Sequence, residues 1–209
     1  MTKFNLVVFL LLVITQYTAF SQSAAIDSLR QLQANSPDDS LRFEYYFEIC
    51  RLALPKADST QQESYADTLQ SMADEQEPTF FQARVLAFKA MTYRKQGRIL
   101  EQRAALQEAK ELYQEIGDQE QLADTEHAMA RTFLPEGDYE SAFSGYERAL
   151  QIYRQLGLKV QLANSLNALG VVQRRAGNFD SAIEYLSEAA AASRKLYDKG
   201  GEATALLNQ

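Results

Sequence analysis

One histidine and one cysteine in 209 residues set the first limits on what this chain can do. With His127 alone, a zinc site built on two histidines is excluded, and any catalytic triad would have to be assembled around that residue. No nucleophile motif surrounds it, so it reads as a partly exposed helix position. Cys50 cannot form an internal disulfide, and its spacing against other small residues marks it as a buried contact rather than a nucleophile. Long hydrophobic runs are missing as well: the run Leu6–Ile14 is about half the roughly 20 residues that a membrane-spanning helix needs. Sustained apolar–polar alternation, the mark of strands, is also absent. Lys199-Gly200-Gly201 resembles a phosphate loop briefly but lacks the G-x-x-x-x-G-K-[S/T] arrangement, and carboxylates are spread over helix surfaces with no isolated pair. Nothing here supplies catalytic chemistry, a metal or a cofactor, and the chain is expected to be no enzyme.

What is present begins at the N-terminus. Lys3, the apolar run Leu6–Ile14 and the small residues flanking Phe20 in Ala19-Phe20-Ser21 form the basic, hydrophobic and cleavage regions of a secretory signal peptide over residues 1–21. No cysteine follows the run, which disfavours lipid attachment. The expected protein is therefore exported, periplasmic or secreted, and meets a membrane only through this peptide or through a C-terminal segment beyond Gln209. Loss of Lys3 would leave 20 basic residues against 28 acidic ones, a net charge of −8. A chain of that sign is a poor ligand for phosphate backbones, so nucleic acid is excluded as a partner within these residues.

The dominant feature is a period of forty. Gly97, Gly137 and Gly177 coincide, as do Ala83, Ala123, Ala163 and Ala203. Small residues keep step at Cys50, Ala90, Ala130 and Gly170, and again at Ala109, Ala149 and Ala189. Large ones do too: Tyr93 with Phe133, Ile99 with Tyr139 and Phe179, Leu106 with Tyr146 and Leu186. Within each unit the apolar spacing is helical, Leu166, Leu169 and Val172 on one stripe and Ala182, Leu186 and Ala189 on another. A glycine between the stripes ends one helix in the left-handed conformation, and Asp138 or Asn178 then caps the next. Each unit is thus a pair of antiparallel helices, predicted at 78–96/99–116, 118–135/138–156 and 158–176/179–197. The small residues let the two backbones approach closely. A degenerate pair, 38–54/58–76, precedes them with Leu54-Pro55 in place of the turn glycine and a capping box from Ser59 to Gln62. Residues 22–37 form a polar lead-in with one short helix over Ile26–Leu32.

Leu169, Gly170, Gly177, Phe179, Ala182 and Ala189 together resemble the signature of the tetratricopeptide repeat. Met129-Ala130 stand for Leu-Gly in the unit before, and Lys89-Ala90, Ile99 and Gln102 make a weaker match in the first. The usual period is 34 residues; six more lengthen the second helix and its connection here, as in the long-period members of the family. The resemblance implies an all-α, right-handed superhelical solenoid over 38–209. It comprises the degenerate pair 38–77, repeats 83–122, 123–162 and 163–202, and the truncated start of a further repeat at 203–209. Arrays normally end in a polar capping helix, so Ala203–Gln209 is either the beginning of more repeats in a longer protein or a stub cap.

In that family first helices line a concave face that holds partner proteins as peptides. The matching positions are Glu44, Phe47, Glu48 and Arg51 in the degenerate pair. They continue with Arg84, Phe88 and Met91, with Asp124, His127 and Arg131, and with Asn164, Asn167, Val171 and Arg174. The candidate peptide-binding set is Arg84, Phe88, Met91, His127, Arg131, Asn164, Asn167 and Arg174. The expected function is a non-catalytic scaffold of the bacterial cell envelope. The alternative is the sensory N-terminal region of a longer signalling protein that ends in a histidine kinase or a helix-turn-helix regulator. Solvated helix positions with no partner would carry the same residues.

Overall fold

A computed structural model describes residues 22–76, 79–196 and 199–208. The signal-peptide segment, 1–21, lies outside the described residues. All regular structure in them is helical, without a strand, and the chain divides into two units with the boundary before Thr79.

The N-terminal unit holds α1 (Gln22–Asn35), α2 (Asp39–Ala53) and α3 (Ser59–Asp74). The lead-in is more helical than its polarity suggests. Ile26, Leu29 and Leu32 repeat at helical spacing, and Leu29 is fully buried against Tyr45 and Ile49 of α2. Docking of that stripe extends the short predicted helix to 14 residues. Asp38 caps α2 through the Leu41 amide at 3.1 Å. The capping box of α3 sits one residue earlier than the sequence suggests. Asp58 accepts from the Gln61 amide at 2.9 Å, and Gln61 accepts from the Asp58 amide at 3.1 Å. Gln62 cannot serve because it is buried, its amide donating to the Ala57 carbonyl at 2.8 Å. Cys50 is fully buried, and burial pushes its thiol up to about 12, which leaves it unreactive.

The C-terminal unit is a solenoid of antiparallel helices. First helices are α4 (Thr79–Lys95), α6 (Gln119–Arg131) and α8 (Lys159–Arg175); their partners are α5 (Ile99–Ile116), α7 (Tyr139–Leu156) and α9 (Phe179–Lys195). A last helix, α10 (Lys199–Asn208), lies against α9 and α8, with Ala205 fully buried in the core. Leu186, Ala189 and Ala190 of α9 are buried.

Gly117 and Gly157 end α5 and α7 at φ +74° and +71°, and Asp118 and Leu158 amides fold back on the Tyr113 and Tyr153 carbonyls. Gly170 shows why the register wants small residues. A Cβ there would lie 2.5 Å from Leu186 Cγ, so α8 and α9 touch backbone to side chain. In the preceding pair Ala130 faces Gly145, where an added Cβ would meet the Ala130 Cβ at 2.9 Å.

The second pair departs from the others at its turn. Predicted to run to residue 135, α6 stops at Arg131 and a 3₁₀ turn follows over Leu134–Glu136. Pro135 stands where Lys95 and Arg175 sit in the neighbouring first helices, and a proline ring there would strike the carbonyl four residues back. Arg103 of α5 holds the irregular turn. It donates to the Thr132 hydroxyl and carbonyl at 3.1 and 3.0 Å, pairs with Glu136 at 3.0 Å and stacks over Phe133 at 4.3 Å.

Candidate functional site

First helices α4, α6 and α8 place their polar residues at one period, and two clusters result in the C-terminal unit. In the first, the His127 imidazole meets the Tyr146 ring edge-to-face at 4.8 Å. Arg131 follows one turn later. Burial, with Arg131 beside it, holds the histidine down at about 4, so the imidazole is neutral at ordinary pH. Its Nε2 is enclosed without a hydrogen-bond partner. Burial and the charge of Arg94 lower Arg131 in turn, and Arg131 and Arg175 both favour the anion of the Tyr146 phenol, which burial otherwise raises. Arg94, Arg131 and Arg175 thus share one neighbourhood, and among the described residues none of the three forms an ion pair. For a chain of net charge −7 this is a local excess of uncompensated positive charge.

The second cluster forms around Asn208 of α10. Its amide donates to the Asn167 side-chain oxygen at 3.0 Å, and its carbonyl accepts from the Arg174 guanidinium at 2.9 Å. Asn164 is exposed a turn before.

Among the eight candidates, His127 and Arg131 come together, as do Asn167 and Arg174. Arg84 lies half-buried with its guanidinium 5.9 Å from the Phe80 ring, and Met91 is half-buried. Phe88 is corrected: it is fully buried and belongs to the core. Its large apolar side chain gains more from enclosure than a groove position would allow. In the N-terminal unit Phe47 is buried too, and Glu48 is engaged by Arg51 at 2.7 Å. Asp124 does not stand free, since it accepts from the Tyr153 hydroxyl at 2.6 Å.

Sequence reading missed Arg94, Arg175, Tyr146 and Asn208. Arg94 and Arg174-Arg175 close α4 and α8, a signal visible as basic last turns; Asn208 carried none. It also missed a buried carboxylate. Glu126 takes the register of Leu86 and Leu166, is 3% exposed, and is held by Lys110 at 2.7 Å and Arg148 at 2.9 Å. Burial pushes its carboxyl up, and the bonds from Arg148 and Lys110 outweigh that and lower it. Groups of histidine, cysteine and carboxylates able to hold a metal are absent among the described residues, and none of their helices is long and apolar enough to cross a membrane.

A family model described as a tetratricopeptide repeat matches residues 81–155 and again 122–195. Among solved structures, BtubC (BKLC) from P. vanneervenii is similar over 90% of this chain and 78% of its own, with 20% identity and a TM-score of 0.74. A signal transduction ATPase with numerous domains and a tetratricopeptide repeat sensor, from Pyrococcus horikoshii, is similar over 90% of this chain and 29% of its own (18% identity, TM-score 0.75). For aspartyl phosphate phosphatase F from Bacillus subtilis the shares are 83% and 45%, with 15% identity and a TM-score of 0.75. This chain spans less than half the length of the last two. At such identities the likeness is one of fold alone. No curated protein sequence matches significantly.

Proposed function

We propose that this chain, which belongs to the tetratricopeptide repeat family, is a non-catalytic scaffold that holds an acidic or carboxylate-bearing segment of another protein. The segment lies across the first helices of the C-terminal unit. The observation that carries this reading is Arg131 and Arg175 at the Tyr146 phenol, with Arg94 beside Arg131, cationic and without ion pairs among the described residues of an acidic protein. Guanidinium groups bind carboxylates with two parallel hydrogen bonds, and a neutral His127 beside them adds no competing charge. Asn164 offers a donor and an acceptor to a peptide backbone.

Fluorescent peptides ending in aspartate and glutamate, compared with amidated and lysine-bearing counterparts, test it. Binding is expected for the free carboxylates, weakening with salt. Arg94→Ala combined with Arg131→Ala is expected to weaken it at least tenfold, and Glu108→Ala, exposed on α5, to leave it unchanged. Equal behaviour of the two variants would refute the assignment. Export rests on Lys3, Leu6–Ile14 and Ala19-Phe20-Ser21, and N-terminal sequencing of an envelope fraction beginning at Gln22 would support it.

A second reading, the sensory region of a longer signalling protein, draws on the structural relative from Pyrococcus horikoshii whose own repeat is called a sensor. A continuing reading frame that encodes an apolar stretch of about 20 residues favours it.

A further inference from the structure

Within the three repeats a phenol and an arginine meet at one place. Where the second pair has Tyr146 and Arg131, the first has Leu106 and Met91 and the third has Leu186 and Val171. Tyr146 of α7 belongs to one core cluster with Ala130 of α6 and with Leu169 and Val172 of α8. Its ring also meets the His127 imidazole at 4.8 Å. Only 2% of the residue is exposed, yet its hydroxyl makes no hydrogen bond among the described residues. Arg131 closes α6 and Arg175 closes α8, and both guanidiniums act on that hydroxyl from the helices packed beside it. Arg94, in the last turn of α4, acts on Arg131. An enclosed donor without a partner, flanked by arginines without ion pairs, is a site built for an anion.

Donors and charge decide which anion. Burial holds the phenol protonated, so it donates. One edge each of two guanidiniums, with the phenol, offers about five N–H and O–H donors, whereas a carboxylate accepts at about four lone pairs. A phosphoryl group brings three acceptor oxygens and a charge of about −2 at neutral pH, and it takes all of these donors. Charge points the same way. No carboxylate is among the groups that act on Arg131 or on the phenol. A monoanion would leave two of the three cations unbalanced, and a dianion leaves one. We infer that the partner segment enters this site with a phosphorylated residue, its phosphoryl group held by Arg131, Arg175 and the Tyr146 hydroxyl, with Arg94 adding charge. This rests on the site of the proposed function and narrows its acidic segment to a phosphorylated one.

Fluorescence anisotropy of a labelled glutamate–alanine peptide with glutamine, glutamate or phosphoserine at its centre tests it. The phosphoserine form is expected to bind at least about tenfold tighter than the glutamate form. Acidification from about pH 7.5 to about 5.5 crosses the second phosphate ionisation near 6 and should remove most of that advantage. Tyr146→Phe loses no internal hydrogen bond and keeps the fold, checked by an unchanged melting curve. It should weaken the phosphoserine form severalfold and the glutamate form less. Arg175→Gln should weaken both, and Glu108→Ala neither. Equal affinity of the glutamate and phosphoserine forms overturns the inference and leaves the proposed function standing. A phosphoserine advantage that survives both Tyr146→Phe and Arg175→Gln also overturns it, because the phosphoryl group is then held elsewhere. So does inorganic phosphate that binds as tightly as the phosphoserine peptide, since the segment then adds nothing. Absence of binding by all three forms refutes the proposed function with it.

Discussion

The second and third helix pairs of the C-terminal unit share a register and differ in nearly every way that register is satisfied. At one position the second pair buries Glu126 between Lys110 and Arg148, and the third buries Leu166. At the next, the second has His127 on the Tyr146 ring, the third Asn167 bonded to Asn208. Close approach is secured by Gly145 on the second helix in one and by Gly170 on the first helix in the other. The second pair breaks at Pro135 and is clipped by Arg103, while α8 runs unbroken to Arg175. A repeat therefore conserves spacing and volume, and the chemistry at each place follows from neighbours one repeat away.

Exchanging residues at equivalent positions tests that lesson. Largest is Leu166→Glu. The period places Leu150 and Glu188 where the second pair has Lys110 and Arg148, so the new carboxylate would be buried without a cation. A loss of at least about 3 kcal/mol is expected in a denaturant titration. Persistence of wild-type stability would mean that the pairs do not differ in this way.

Next is the response to acid. His127 is held at about 4, below its ordinary 6.5, by burial first and Arg131 second, with the Tyr146 ring and phenol facing it from α7. The folded chain thus binds fewer protons here than the unfolded one. The stability this group contributes is complete above pH 6.5 and is lost as pH falls toward 4, on the order of 3 kcal/mol. Glu126, also lowered, adds to the loss only below the ordinary carboxylate range. His127→Phe should flatten the melting temperature between pH 6.5 and 4.5; an unaltered slope would show that other groups set it.

Smaller effects follow at the glycines. Gly170→Ala forces Leu186 out of its rotamer in a closed core and should cost about 1–2 kcal/mol. At Gly145 the added Cβ would meet the Ala130 Cβ at 2.9 Å and its Cα at 3.3 Å, neither of which can move without the α6 backbone, so Gly145→Ala should also lower the melting temperature despite a helix-propensity gain of about 1 kcal/mol. Glu126→Leu, which makes the second pair like the third, is expected to lower stability by about 1 kcal/mol or more, because Arg148 can turn to water but Lys110, 19% exposed, is left without its anion. Smallest is the cap. Asp138 accepts from the Ser141 amide at 3.0 Å, while Asn178 makes no such bond and instead donates to Gln173 at 2.8 Å. Asp138→Ala should lower the melting temperature and Asn178→Ala leave it unchanged.

Helix pairs, turns and the close-packed register were legible because their causes are local or strictly periodic. Gly117 and Gly157 end helices by conformation alone, and Ala90, Ala130 and Gly170 recur where two backbones meet. The face of first helices followed from the same period, which found His127, Arg131, Asn167 and Arg174. Tertiary structure alone decided what each place is used for. It buried Phe88, extended α1 through the docking of Leu29 on α2, gave Glu126 its two cations, and let Asn208 reach Asn167 and Arg174. The physical reason is distance along the chain. Helical periodicity and turn conformation depend on neighbours within a few residues, whereas burial, charge compensation and hydrogen-bond partners here come from residues 16 to 41 positions away.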